Sequence, residues 1–71
     1  MIRKFRMANR IMGEVKDRVF CFKDETEGMH FEKAGKNINF LFVDTEKADK
    51  DKVKWLEQVL SQYSVKFEVT E

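Results

Sequence analysis

Two side chains in this 71-residue chain could carry covalent chemistry at neutral pH: Cys21, the only thiol, and His30, the only imidazole. A strand over residues 19–23 and another over 29–33, joined by the acidic turn Asp24-Glu25-Thr26-Glu27-Gly28, would place both on one sheet face. A thiolate beside an imidazole is a nucleophile with its base. The pairing is incomplete, because no third residue is placed to orient the imidazole. A small open sheet also excludes water poorly and holds a substrate loosely. The expectation is a non-enzymatic protein with no catalytic residue.

Asp24, Glu25, Glu27 and His30 are the densest group of potential metal ligands. Oxygen-rich loops hold calcium or magnesium through several converging ligands at set spacings. The turn lacks the EF-hand spacing, and a solvated acidic turn accounts for it. No Walker loop, GxGxxG, HExxH or paired-cysteine motif occurs, and the three glycines stand apart from one another. No metal and no cofactor is expected.

Phosphate chemistry has better candidates. Residues 1–22 hold Arg3, Lys4, Arg6, Arg10, Lys16 and Arg18 against Glu14 and Asp17, a balance of +4 within a chain of net charge +1. Residues 37–71 hold five lysines against seven acids, a balance of −2. All four arginines precede residue 19, and arginine is the side chain best suited to phosphate and interface contacts. Arg3, Lys4, Arg6, Arg10 and Arg18 are therefore candidate phosphate contacts. Charge on strand edges also blocks aggregation, a simpler use for the same residues. Phe5, Phe20, Phe22 and Phe31 interleave with these basic residues, but alternation assigns them to the core rather than to base stacking.

The elements that must position these residues follow from hydrophobic periodicity. Residues 2–7, 11–16, 19–23, 29–33 and 37–44 read as short strands separated by turns at 8–10, 17–18, 24–28 and 35–36, the first two forming either a hairpin or one long bent strand. Close spacing predicts hairpins and antiparallel pairing. Residues 46–62 read as an amphipathic helix with Val53, Leu56, Val59, Leu60 and Tyr63 on one stripe. Asp44, Thr45, Glu46 and Asp49 crowd its start, where acceptors and negative charge suit the free N–H groups. Residues 65–70 read as a last strand, returning parallel to residues 37–44 through a right-handed crossover. The expected fold is α+β: a mostly antiparallel twisted sheet of five to six short strands with one amphipathic helix packed on one face, in the order β-β-β-β-β-α-β. A single compact domain over residues 1–71 fits the length.

Alternation places Phe5 and Met7, Phe20 and Phe22, Met29 and Phe31, and Ile38, Phe40 and Phe42 on the core face. Val19, Cys21, His30, Glu32, Leu41 and Val43 then fall on the opposite face. The strand at 37–44 is apolar on both sides, the pattern of a strand covered on both faces. One helix covers one face, so Leu41 and Val43 need another cover: the first segment folding over, a second copy of the chain, or a different protein. Trp55, at the edge of the helical stripe, suits an interface anchor. Val19, Cys21, His30, Leu41, Val43 and Trp55 are the expected protein interface.

Composition adds the remaining bounds. One cysteine cannot form an internal disulfide, which favours a reducing compartment. No signal-peptide pattern and no apolar run of membrane-spanning length is visible, so a cytoplasmic, soluble protein is expected. The favoured function is a small binding module acting through protein–protein contact, inhibitor-like or accessory and self-associating. The alternative is a nucleic-acid-binding module using the basic first half on phosphates.

Overall fold

The computed structural model describes residues 1–21 and 25–69, with Glu25 described by its backbone alone. The elements run β1 (Ile2–Met7), α1 (Asn9–Arg18), β2 (Glu25–Thr26), β3 (Met29–Gly35), β4 (Ile38–Asp44), α2 (Lys50–Gln62) and β5 (Phe67–Val69). The sheet order is β2-β3-β4-β1-β5, and each neighbouring pair is antiparallel. β4 and β5 therefore run in the same direction with β1 between them. This is a split β-α-β arrangement, and the whole is β-α-β-β-α-β with β2 as a two-residue extension of the sheet.

The expected sheet of five to six strands with one helix is thus corrected, among the described residues, to four antiparallel strands and two helices, with β2 as the short extension. The difference arises in residues 9–18, which the strand reading took as a turn and a second strand. Ile11, Val15 and Val19 recur at intervals of four, and Met12 lies beside them, so the same residues form a helical stripe. Two features hide this helix. Its N-cap is Ala8, whose side chain offers no acceptor, and Gly13 interrupts its interior at a propensity cost of about 1 kcal/mol relative to Ala. Val19 caps the C-terminus of α1 and Phe20 is buried after it, so neither belongs to a strand. Residues 22–24 of the expected 19–23 strand and acidic turn, and residues 70–71 at the end of the last strand, lie outside the described residues.

The second helix starts at Lys50 rather than at the expected residue 46. Asp49 is the N-cap and its carboxylate accepts from the Asp51 and Lys52 N–H groups at 2.8 and 3.2 Å, so the acceptor decides the boundary. Its other end is a Schellman turn: the Val65 N–H donates to the Leu60 carbonyl at 3.1 Å and the Ser64 N–H to the Ser61 carbonyl at 3.1 Å.

Both helices pack on one sheet face. Val15 from α1 and Leu56, Val59 and Leu60 from α2 form one core with Phe5, Met7, Met29, Leu41 and Val43. In β4 the buried residues are Asn39, Leu41 and Val43, while Ile38, Phe40 and Phe42 are only partly buried. The expected core face of this strand is therefore inverted. Register explains it: Phe5 lies opposite Leu41 and Met7 opposite Asn39 on one side, and Met29 lies opposite Val43 and Phe31 opposite Leu41 on the other. Directly opposed residues share a face, so the apolar residues of β1 and β3 bring Leu41 and Val43 inward. The cover that Leu41 and Val43 required comes from α1 and α2 of the same chain.

Candidate functional site

Among the described residues, a single sheet with both helices on one side leaves the other side open. Its residues follow directly from the register. On β1 they are Lys4 and Arg6, on β3 His30 and Glu32, on β4 Phe40 and Phe42, and on β5 Glu68. Phe42 lies between Lys4 and His30; Phe40 lies between Arg6 and Glu32; Glu68 lies opposite Lys4. Arg6, His30, Glu32 and Glu68 are exposed, and Phe40 and Phe42 are half-buried.

The rings form a continuous surface. The His30 imidazole stacks on Phe42 with centroids 5.0 Å apart and planes inclined by 17°. Phe40 and Phe42 lie 6.3 Å apart at 55°. The Lys4 ammonium sits 4.1 Å from the Phe40 centroid and 5.9 Å from that of Phe42, within cation–π range of both. Beside Phe40 the surface dips into a cavity of about 190 Å³ lined by Lys4, Arg6, Phe40, Lys66 and Glu68. A second hollow, of about 400 Å³, adjoins His30 and Phe42 next to Ile2 and Asp44. Central aromatic rings, flanking cations and carboxylates at the margin provide stacking surface, positive charge and hydrogen-bond acceptors together.

The end of this platform is fixed by an asparagine cluster. Asn39 is fully buried on the helix side of β4 and donates through Nδ2 to Asn9 Oδ1 at 2.7 Å. The Asn9 N–H donates to Asn37 Oδ1 at 2.9 Å, and its side-chain amide donates to the Lys36 carbonyl at 3.0 Å. The first turn of α1 is thereby tied to the β3–β4 turn, which supplies the side-chain acceptor that Ala8 lacks. Asn39 Nδ2 is thereby satisfied, while its buried Oδ1 has no hydrogen-bond partner among the described residues.

The five expected phosphate contacts divide. Lys4 and Arg6 reach the open face together. Arg3 is on the helix side, paired with Glu57 and lying 4.6 Å from the Phe67 ring centroid. Arg10 is exposed in the first turn of α1. Arg18, at the end of α1, donates to Gln62 Oε1 at 3.2 Å and stands 5.5 Å from the Trp55 ring centroid. The expected protein interface is dispersed as well. Val19, Leu41 and Val43 are core residues, at 4%, 0% and 0% exposure. Cys21 is exposed in the turn after α1, with a positive φ of 53°. His30 is on the open face. Trp55 is on α2, 42% exposed, with its indole N–H donating to the Arg18 carbonyl at 2.9 Å.

Cys21 and His30 do not share a sheet face as expected, because Cys21 follows a helix rather than lying within a strand. Among the described residues, no three His, Cys, Asp or Glu side chains come together as metal ligands, and no helix is long and apolar enough to cross a membrane.

Phe40, Phe42, Lys66 and Glu68 are the site residues that sequence reading missed. The signal for the two phenylalanines was present in the double-sided apolar pattern of residues 37–44. Asn39 obscured it: a polar residue on the Leu41–Val43 face made the phenylalanine face look like the core. Comparison with protein-family models, with curated proteins and with solved structures gives no match to this chain.

Proposed function

We propose that this protein binds single-stranded nucleic acid on the open face of its sheet, without catalysing a reaction. The observation that carries the reading is the placement of Phe40 and Phe42 outside the core, side by side on a central strand, with Lys4 and Arg6 across from them on β1. Single-strand binders combine aromatic faces, on which bases stack, with cations that follow the backbone. Four-stranded sheets with exposed central aromatics bind splayed single strands in this way. A flat platform of this kind suits bases that have left a duplex, whereas a duplex keeps its base faces stacked inside. His30, parallel to Phe42, widens the surface. The Lys4 ammonium covers Phe40 in the free protein, and its flexible stem lets it move from ring to phosphate as a base arrives.

Titration of a fluorescently labelled eight-nucleotide RNA single strand, its DNA counterpart and the matching duplex tests this reading by anisotropy. Saturable binding of single strands in preference to duplex is expected. Equal or stronger binding of the duplex, or no binding at low salt, refutes it.

A second reading, self-association, is favoured by a different observation. β5 is an edge strand of the described sheet, and Phe67 and Val69 on it are 45% and 56% exposed. Phe67 packs only partly, against Phe5 at 5.7 Å between centroids. An edge with exposed apolar residues is a template for strand pairing with another chain, and a second copy pairing along β5 would cover both. Light scattering at high protein concentration tests this, and a strict monomer removes it.

A further inference from the structure

We infer that the cavity beside Phe40 makes this face select guanine among the four bases, with Glu68 as the residue that reads it. The inference rests on the single-strand reading above and concerns which base occupies the Phe40 position. Glu68 lies opposite Lys4 in the β5–β1 register, and both line the cavity with Arg6, Lys66 and the Phe40 ring. The cavity therefore presents one carboxylate and three cations around an aromatic surface.

A carboxylate is an acceptor with two oxygens side by side, so it pairs best with two adjacent donors. Guanine alone offers that edge, with N1–H next to the N2 amino group. Adenine and cytosine place a ring-nitrogen acceptor beside their amino group, and a carboxylate repels it. Uracil and thymine have a single N–H between two carbonyls. The opposite side of guanine carries the O6 and N7 acceptors, which arginine and lysine recognise. Among the described residues, Lys4, Arg6 and Lys66 are the other charged groups lining the cavity. One carboxylate and several cations thus match the donor edge and the acceptor edge of one base. Discrimination arises because a wrong base sets a ring acceptor against the carboxylate.

Labelled octauridylate, and the same strand with one central guanosine, adenosine or inosine, are the probes, each titrated against the wild-type protein and Glu68→Gln. Glu68 is exposed, so the amide variant keeps the fold, and circular dichroism checks that it does. The wild type is expected to bind the guanosine strand about tenfold or more tighter than the adenosine strand. Inosine, which lacks the N2 amino group, falls between them. Glu68→Gln brings guanosine and adenosine to within roughly twofold of each other. Equal wild-type binding of all four strands, or a guanosine preference that survives in Glu68→Gln, overturns the guanine assignment and leaves the platform standing. Absence of binding to every strand overturns the platform as well.

Discussion

Ser64 has a φ of 58° at the one position of the α2 terminus where glycine is the usual residue. Both backbone hydrogen bonds of the Schellman turn depend on that conformation, which an L side chain adopts at a cost of about 1 kcal/mol. Ser64→Gly is expected to stabilise the protein by up to about 1 kcal/mol, discounted for the flexibility glycine adds to the unfolded chain. A shift of the urea midpoint at unchanged slope measures it. Gly28 is the opposite case. Its φ is 78°, and a Cβ there would stand 2.6 Å from the Ala48 backbone nitrogen and 2.9 Å from its Cα. Neither backbone atom can step aside cheaply, because Ala48 is buried and its N–H donates to the Asp44 carbonyl at 2.9 Å. Ser64 ends α2, and Gly28, in the β2–β3 turn, packs against the segment that leads into it.

At the scale of elements, β4 decides how the two sides of the sheet are used. It carries Leu41 and Val43 into the core and Phe40 and Phe42 onto the open face, so alanine substitution at neighbouring positions should give unequal losses. Leu41→Ala, at a fully buried site, is expected to cost about 2–5 kcal/mol. Phe42→Ala removes a half-exposed ring and cross-strand contacts, at about 1 kcal/mol. Chemical denaturation of the two variants measures the difference, and the reverse order would mean that the strand faces the other way. Much of this architecture was legible from the residues. β1, β3, β4 and the body of α2 follow their hydrophobic periods, and β5 runs in the same direction as β4, as the crossover geometry implied. What was not legible depends on tertiary contact. α1 lacks a side-chain cap of its own and contains Gly13; Asn37 and Asn39 anchor its first residue, Asn9, from 28 to 30 residues away in sequence. The register of β4 was ambiguous because both faces are apolar, and the phenylalanines, the bulkier choice, went outward. β5 pairs with β1 rather than with β4, a choice that the local pattern of either strand does not encode.

At the scale of the whole molecule, the net charge of +1 and the scattering of the arginines bear on how binding responds to salt. A basic first half read along the sequence implied many phosphate contacts and a steep dependence. Folding turns Arg3 to the helix side and places Arg10 and Arg18 on or at the end of α1, which leaves Lys4, Arg6 and Lys66 around the open face. With about three phosphates neutralised at roughly −0.7 each, log affinity for a single strand should fall with log salt at a slope of about −2. A slope near −4 would mean that the scattered arginines act as one surface. Stacking must therefore supply much of the affinity, and the most direct measurement of the central claim removes the rings and leaves the cations. Phe40→Ala and Phe42→Ala, checked for native circular dichroism, should each weaken binding of the labelled eight-nucleotide single strand by roughly tenfold or more, since base–aromatic stacking contributes about 1–3 kcal/mol per base. Unchanged affinity in both folded variants would contradict the account and remove the open sheet face as the binding surface.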